Sequence, residues 1–134
     1  TALCAMTLIR TGIPERHPSL RIGFSHGGGA IVPLAHRLGR GAQVTDHFSE
    51  TLKKKPIEYA RQFFYDNLVY DQGYMRYLAE EFAPGQIFCG TDYPYLIMDE
   101  DPASNIETAK FADPESIRWR AAHAFLGIDA RIYG

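Results

Sequence analysis

Two residues of this chain stand where they could move a proton or hold a cation. His26 heads the run His26-Gly27-Gly28-Gly29, and Asp92 sits inside Gly90-Thr91-Asp92-Tyr93-Pro94. Imidazole is the side chain whose ordinary titration falls nearest neutrality, so a histidine in an open setting can act as general acid or base. A carboxylate beside it can orient the ring or bind a divalent metal, and zinc lowers the pKa of its bound water to about 7. Asp66 closes a third stretch of similar character, Phe63-Phe64-Tyr65-Asp66. Taken singly, each residue also has a plain structural role, His26 as a core-satisfied histidine and Asp92 as the opener of a turn before Pro94.

The elements that must place these residues can be read from the flanking patterns. Leu20–Ser25 has strand character and runs into His26, Gln62–Val69 is an aromatic strand ending in Asp66 and Asn67, and Gln86–Cys89 leads to Asp92. Pro94 forbids further ladder hydrogen bonds after that third strand. Three consecutive glycines suit positive φ and close approach of backbone or ligand, which would set His26 beside a surface free of side chains.

Helical patterns fill the intervals. Residues 1–11 form an apolar helix, expected to be buried on most sides and closed by Gly12. Ile13–Pro18 reads as a polar connection, and Val32–Leu38 as a helix with Pro33 in its first turn and breaks at Gly39 and Gly41. Thr45–Glu58, with Lys53-Lys54-Lys55, reads as a solvated loop. Asp71 caps a helix carrying Tyr74, Met75, Leu78, Ala79 and Phe82 on one side, and Pro84-Gly85 ends it. A helix over Ala103–Phe111 and a last helix after Asp113-Pro114-Glu115, bearing Ile117, Ala121, Ala124, Phe125 and Ile128, complete the chain. Alternation of helix and strand is the pattern of a parallel α/β fold, in which side chains at the carboxyl ends of the strands meet substrate.

Composition bounds the partners. The 134 residues are 46% apolar, enough for a real core, and 14 basic against 16 acidic residues give a net charge of -2, which favours neither nucleic acid nor an anionic membrane. Cys4 and Cys89 show no metal-ligand spacing and read as buried thiols of a reducing compartment, the cytoplasm. The apolar opening lacks a basic start and is far short of a membrane span. A glycine run without a following Lys-Ser or Gly-x-x-Gly is a poor nucleotide signal, and His17, His36, His47 and His123 read as surface or packing residues.

His26-Gly27-Gly28-Gly29 with Pro33 and Arg37 after it, Phe64-Tyr65-Asp66-Asn67-Leu68-Val69, and Gly90-Thr91-Asp92-Tyr93-Pro94 together resemble the last three strands of the metal-dependent amidohydrolase superfamily. Within it the likeness is to the aminocarboxymuconate-semialdehyde and resorcylate decarboxylases. The resemblance implies that residues 1–134 are one partial domain, the C-terminal portion of a TIM-type (β/α)8 barrel carrying strands six to eight. It implies Asp92 as a direct metal ligand, with zinc the first expectation and manganese the second. His26 would act on the metal-bound water or on the substrate, and Arg37 would meet a substrate carboxylate, in some members across a homodimer interface. Guanidinium suits that carboxylate geometrically.

The His-x-His pair of the family's first strand and the histidine of its fifth have no counterpart here, and a complete barrel takes roughly 250 residues. The proline after the glycines comes one residue later than the family's spacing, and Ala121 replaces the usual asparagine of the terminal helix. The expected activity is therefore that of a metal-dependent decarboxylase or hydrolase of a small carboxylated substrate, exercised by the full-length barrel. The alternative expectation is a non-catalytic half-barrel that pairs with another chain through its open strand edges.

Overall fold

A computed structural model describes residues 1–45 and 52–128 of the chain. Its centre is a three-stranded parallel sheet in the order β1 (Gly23–Phe24), β2 (Phe64–Asp66) and β3 (Ile87–Phe88). Gly23 pairs with Phe64, and Asp66 with Phe88, so the three strand ends open on one side of the sheet. Helices make every crossover, as parallel pairing requires.

α1 (Ala2–Arg10) ends at Thr11, after which Gly12 turns the chain at φ 72°. Ala5 and Ile9, one turn apart, are fully buried and Met6 and Leu8 pack partly buried beside them, while Leu3 and Cys4 are exposed. The expectation of a helix buried on most sides, and of two buried thiols, is corrected accordingly: one stripe of α1 packs, and Cys4 lies off it. Cys89 is half-buried, and burial, followed by Asp99 and Asp66, raises its thiol pKa. Ile13–Arg16, expected as a loop, forms the single helical turn α2, with Pro14 in the first-turn position that tolerates its missing N–H.

β1 is shorter than the expected Leu20–Ser25 strand. Leu20 N–H donates to the His17 carbonyl in a turn, and the next turn begins at His26. α3 (Ile31–Val44) runs unbroken through Gly39 and Gly41. Each glycine costs a helix about 1 kcal/mol relative to alanine, but Ile31 and Ala35 of α3 are buried in the core and α3 packs along α4 (Pro56–Ala60). Packing overrides propensity here. The end of the supposed loop, Pro56 to Glu58, is thus helical, and Lys53-Lys54-Lys55 lie exposed before it. His47 falls outside the described residues.

α5 (Gln72–Arg76) is capped by Asp71, whose carboxylate accepts from Tyr74 N–H at 2.6 Å, and continues as a wider turn through Tyr77–Phe82. α6 (Pro102–Ala109) starts from Asp101, which accepts from Ser104 N–H. A wide turn at Ser116–Arg120 leads into α7 (Ala121–Leu126), which Gly127 ends at φ 71°. Ile117 and Ala121 are buried on the last helix, whereas Ala124 is exposed and so leaves the expected apolar face. No described helix is long and apolar enough to cross a membrane.

One core joins Ile9, Ile31, Tyr65, Leu78, Phe82 and Ile87, and a smaller one joins Met75, Ile106, Phe111 and Ile117. Phe125 covers the other sheet face, with ring centroids 5.3 Å from Phe64 and 5.6 Å from Phe88. Tyr65 anchors the main core. Its hydroxyl donates to the Ala60 carbonyl at 2.6 Å, and burial holds the phenol far above its ordinary pKa.

Gly28, at φ +75°, packs directly on that anchor. A Cβ there would lie 2.6 Å from Tyr65 Cε1 and 2.7 Å from Ile31 Cγ2, both buried side chains. Gly28→Ala is expected to destabilise the fold by about 2 kcal/mol or more, from overpacking and an unfavourable φ together. Urea unfolding followed by circular dichroism measures it, and an unchanged midpoint would show that Tyr65 can yield.

Candidate functional site

The strand ends place His26 and Asp92 together. His26 Nε2 lies 3.5 Å from Asp92 Oδ1, with the histidine side chain 51% exposed and the aspartate 17%. Neither residue belongs to a strand. His26 opens a tight turn two residues after β1, and Asp92 follows β3 by four residues.

Both turns hold their candidate residue in a left-handed conformation, His26 at φ 56° and Asp92 at φ 60°. Such backbone is disfavoured for residues with a Cβ. Among the described residues only four non-glycines adopt it, the others being Tyr70 and Lys110, and Lys110 merely closes α6. Tyr70 belongs to the same mouth. Its hydroxyl donates to the Ile97 carbonyl, and Ile97 lines the cleft that holds His26 and Asp92.

The end of β2 supplies the connections. Asp66, 6% exposed, accepts at Oδ1 from Gly27 N–H at 3.0 Å and from Leu68 N–H at 3.1 Å. Asn67, 3% exposed, accepts at Oδ1 from Gly90 N–H at 3.0 Å. Asp66 therefore serves the backbone rather than the open mouth. Gly27 and Gly28 are also buried against protein: a Cβ on Gly27 would lie 2.5 Å from Val69 Cγ1. The expected side-chain-free surface beside His26 is corrected, since core side chains fill the space that these glycines leave.

The cleft itself is open and mostly apolar, about 590 Å³, and is lined by Ser25, His26, Asp92, Tyr95, Leu96 and Ile97. Asp99, on the far side of this loop, accepts from Asp101 N–H and Asn105 Nδ2, while its own N–H donates to the Thr91 carbonyl. Partial desolvation, then Asp92, Asp99 and Asp66, push the Tyr70 phenol above its ordinary pKa. Three carboxylates therefore bias this end of the sheet toward cations.

Arg37 is not in this cleft. It lies exposed on α3 and makes no hydrogen bond or ion pair with the described residues. A second, smaller surface hollow between α3 and α4, about 470 Å³, contains His36, Arg40 and Lys53–Lys55 but neither His26 nor Asp92.

Asp92 and His26 could each offer one donor toward the cleft, but among the described residues no group of three or more histidine, cysteine, aspartate or glutamate side chains is placed to hold an ion. Structural and catalytic zinc sites use three or four protein ligands. The described residues do not by themselves make a metal centre.

Comparison with known proteins adds the following. The model of the amidohydrolase family matches residues 3–126. The 2-amino-3-carboxymuconate-6-semialdehyde decarboxylase of Dictyostelium discoideum is 29% identical over 137 residues, covering 99% of this chain and 38% of that protein. The crystal structure of 5-carboxyvanillate decarboxylase from Sphingomonas paucimobilis superposes with a TM-score of 0.77 at 28% identity, covering 93% of this chain and 39% of that one. A dihydroxybenzoic acid decarboxylase from Polaromonas sp. JS666, solved with manganese and 2-nitroresorcinol, shares the fold with a TM-score of 0.78 at 22% identity over 42% of its length. The chain thus spans about two fifths of the relatives it matches.

Gly90 is the position at which sequence, packing and site meet. A Cβ there would lie 3.0 Å from Asp66 Cβ and 3.2 Å from Leu68 Cδ1. Gly90→Ala should push the Asp92 loop away from β2 and cost about 1–3 kcal/mol of stability. Thermal unfolding, together with loss of protection at the Gly90 amide in hydrogen exchange, checks this; a protected amide at full stability would refute it.

Proposed function

Because the chain belongs to the amidohydrolase family, we propose that it is the C-terminal part, strands six to eight, of a (β/α)8-barrel decarboxylase acting on a small carboxylated substrate. The observation that carries this reading is the 3.5 Å approach of His26 to Asp92 at the strand-end cleft. Decarboxylation is preferred to hydrolysis because the relatives that support the reading are decarboxylases, and nothing among them favours a non-catalytic half-barrel. Their names make an aromatic acid the first substrate class to screen.

In this proposal His26 handles the proton. Its imidazolium delivers H⁺ to the carbon that bears the carboxylate; the bond from that carbon to the carboxylate carbon then breaks, its electron pair stays with the former, and carbon dioxide leaves. Half exposure lets the neutral ring regain a proton from solvent. The Asp92 carboxylate, 3.5 Å from Nε2 of the same ring, orients the imidazole. The Tyr95–Ile97 loop gives an apolar wall against which a planar acid can lie.

Asp92 is also proposed as one ligand of a divalent metal, zinc or manganese. The described residues complete no such site, so the further ligands would lie outside them, and no step above passes through the ion. When bound, it would polarise substrate oxygen atoms.

In the complete enzyme, His26→Ala should lower kcat by about 10²–10⁴ and leave metal content, read by elemental analysis, near that of the unaltered protein. Asp92→Ala should lose both. Turnover retained by His26→Ala would remove its role, and metal retained by Asp92→Ala would remove the ligand assignment.

Arg37 enters through symmetry. Exposed on α3 and away from its own cleft, it is proposed to reach a substrate carboxylate in the neighbouring copy of a homodimer. His26→Ala and Arg37→Ala, each inactive alone, should then complement. Random exchange of the two makes half the dimers mixed, each with one intact site of two, so activity returns to roughly a quarter of the unaltered level. No recovery after verified subunit exchange would contradict the shared site.

A further inference from the structure

The distance between His26 and Asp92 is not set by the sheet ladder. β1 ends at Phe24 and β3 at Phe88, so both residues stand on backbone that has left the pairing. Two buried side chains at the end of the middle strand bridge the gap. Asp66 Oδ1 accepts from the N–H of Gly27, the residue after His26, and Asn67 Oδ1 accepts from the N–H of Gly90, two residues before Asp92. The Asn67 main chain is itself fixed, its N–H donating to the Phe88 carbonyl at 3.1 Å.

We propose that Asp66 and Asn67 are positioning residues that hold the His26 turn and the Asp92 loop at a common reference and so set the spacing of the pair. The proposal rests on the reading of His26 and Asp92 as the working groups. Its physical basis is that Asp66, the last residue of β2, and Asn67, the next in the chain, cannot move independently, so two bonds to adjacent side chains couple the loops of His26 and Asp92, 66 residues apart in sequence. The first bond also satisfies the main-chain donor of Gly27, which is buried in a left-handed turn. Asp66 is suited to the tighter turn because one carboxylate oxygen takes both Gly27 and Leu68. Neither side chain lines the cleft, so neither acts on substrate directly.

Partners of this kind, one step removed from the reacting groups, typically change activity about 10–100-fold when removed. In the complete enzyme, Asn67→Leu keeps the volume and loses the acceptor. It should lower kcat about 30-fold with KM changed by less than about threefold, and Asn67→Asp, which restores an Oδ1 acceptor, should recover most of kcat. Asp66→Asn, which keeps the shape and an acceptor oxygen, should be milder than Asp66→Leu for the same reason. A folded Asn67→Leu enzyme with unaltered kcat, or a loss that Asn67→Asp fails to recover, overturns the proposal.

A second measurement needs no variant that must fold. Hydrogen exchange on the unaltered chain should find the Gly27 and Gly90 amides protected, and fast exchange at either removes the restraint from the argument. That result is independent of catalysis. A His26→Ala enzyme with full turnover would sink the functional reading while leaving the exchange result standing.

Discussion

The end of the middle strand is the constraint on which the rest of this structure depends. Parallel pairing lines up three short strands, but it stops before either His26 or Asp92 is reached. Beyond that point the order of the mouth comes from side chains bonding to main-chain amides, Asp66 to Gly27 and Asn67 to Gly90. Such bonds are worth about 1 kcal/mol each in net stability, more with a charged acceptor. Their effect is on geometry as well as stability, because each ties a turn that has left the ladder to the end of β2.

The glycines serve the same end from the other side. Gly27 and Gly28 fit against Val69, Leu78, Tyr65 and Ile31, and Gly90 fits against Asp66 and Leu68. Close packing of the bare backbone brings the amides within reach of Asp66 and Asn67; a side chain at any of these places would push the turn outward. Gly27 and Gly28 next to His26 are therefore part of the core's surface rather than a cradle for a ligand. They shape the site by lowering the turn onto the core.

His26 and Asp92 were legible in the sequence because each ends a strand-like stretch and is followed by residues that stop a strand, glycines in one case and Pro94 in the other. The parallel order and the cap at Asp71 were legible for similar local reasons. The clamp roles of Asp66 and Asn67 were not, since bonds to amides 39 and 23 residues away leave no periodicity or spacing to read. The continuity of α3 was hidden by Gly39 and Gly41, whose local preference is outweighed by the contacts of Ile31 and Ala35. The exposure of Cys4 was hidden because an apolar stretch does not reveal which stripe will find a partner. Arg37 could be placed on a helix, but its position away from the cleft depends on how α3 packs, on which local spacing is silent.

Backbone strain gives an argument for the site that owes nothing to motif or resemblance. A left-handed conformation costs an ordinary residue roughly 1–2 kcal/mol, and three of the four non-glycine cases among the described residues, His26, Tyr70 and Asp92, surround one mouth. A turn with no task at these positions could lower its energy by taking glycine, as the chain does at Gly12, Gly85 and Gly127. An imidazole, a phenol and a carboxylate stand there instead, which is the pattern the proposed site would leave in the backbone. Residues held in such conformations persist where the surroundings over-determine them. Here those surroundings are identifiable: the Asp66 bond beside His26, the Tyr70 hydroxyl on the Ile97 carbonyl, and the Asp99 N–H on the carbonyl of Thr91 next to Asp92. Each strained residue has its own restraint, and every restraint comes from a loop or strand end at the same face of the sheet.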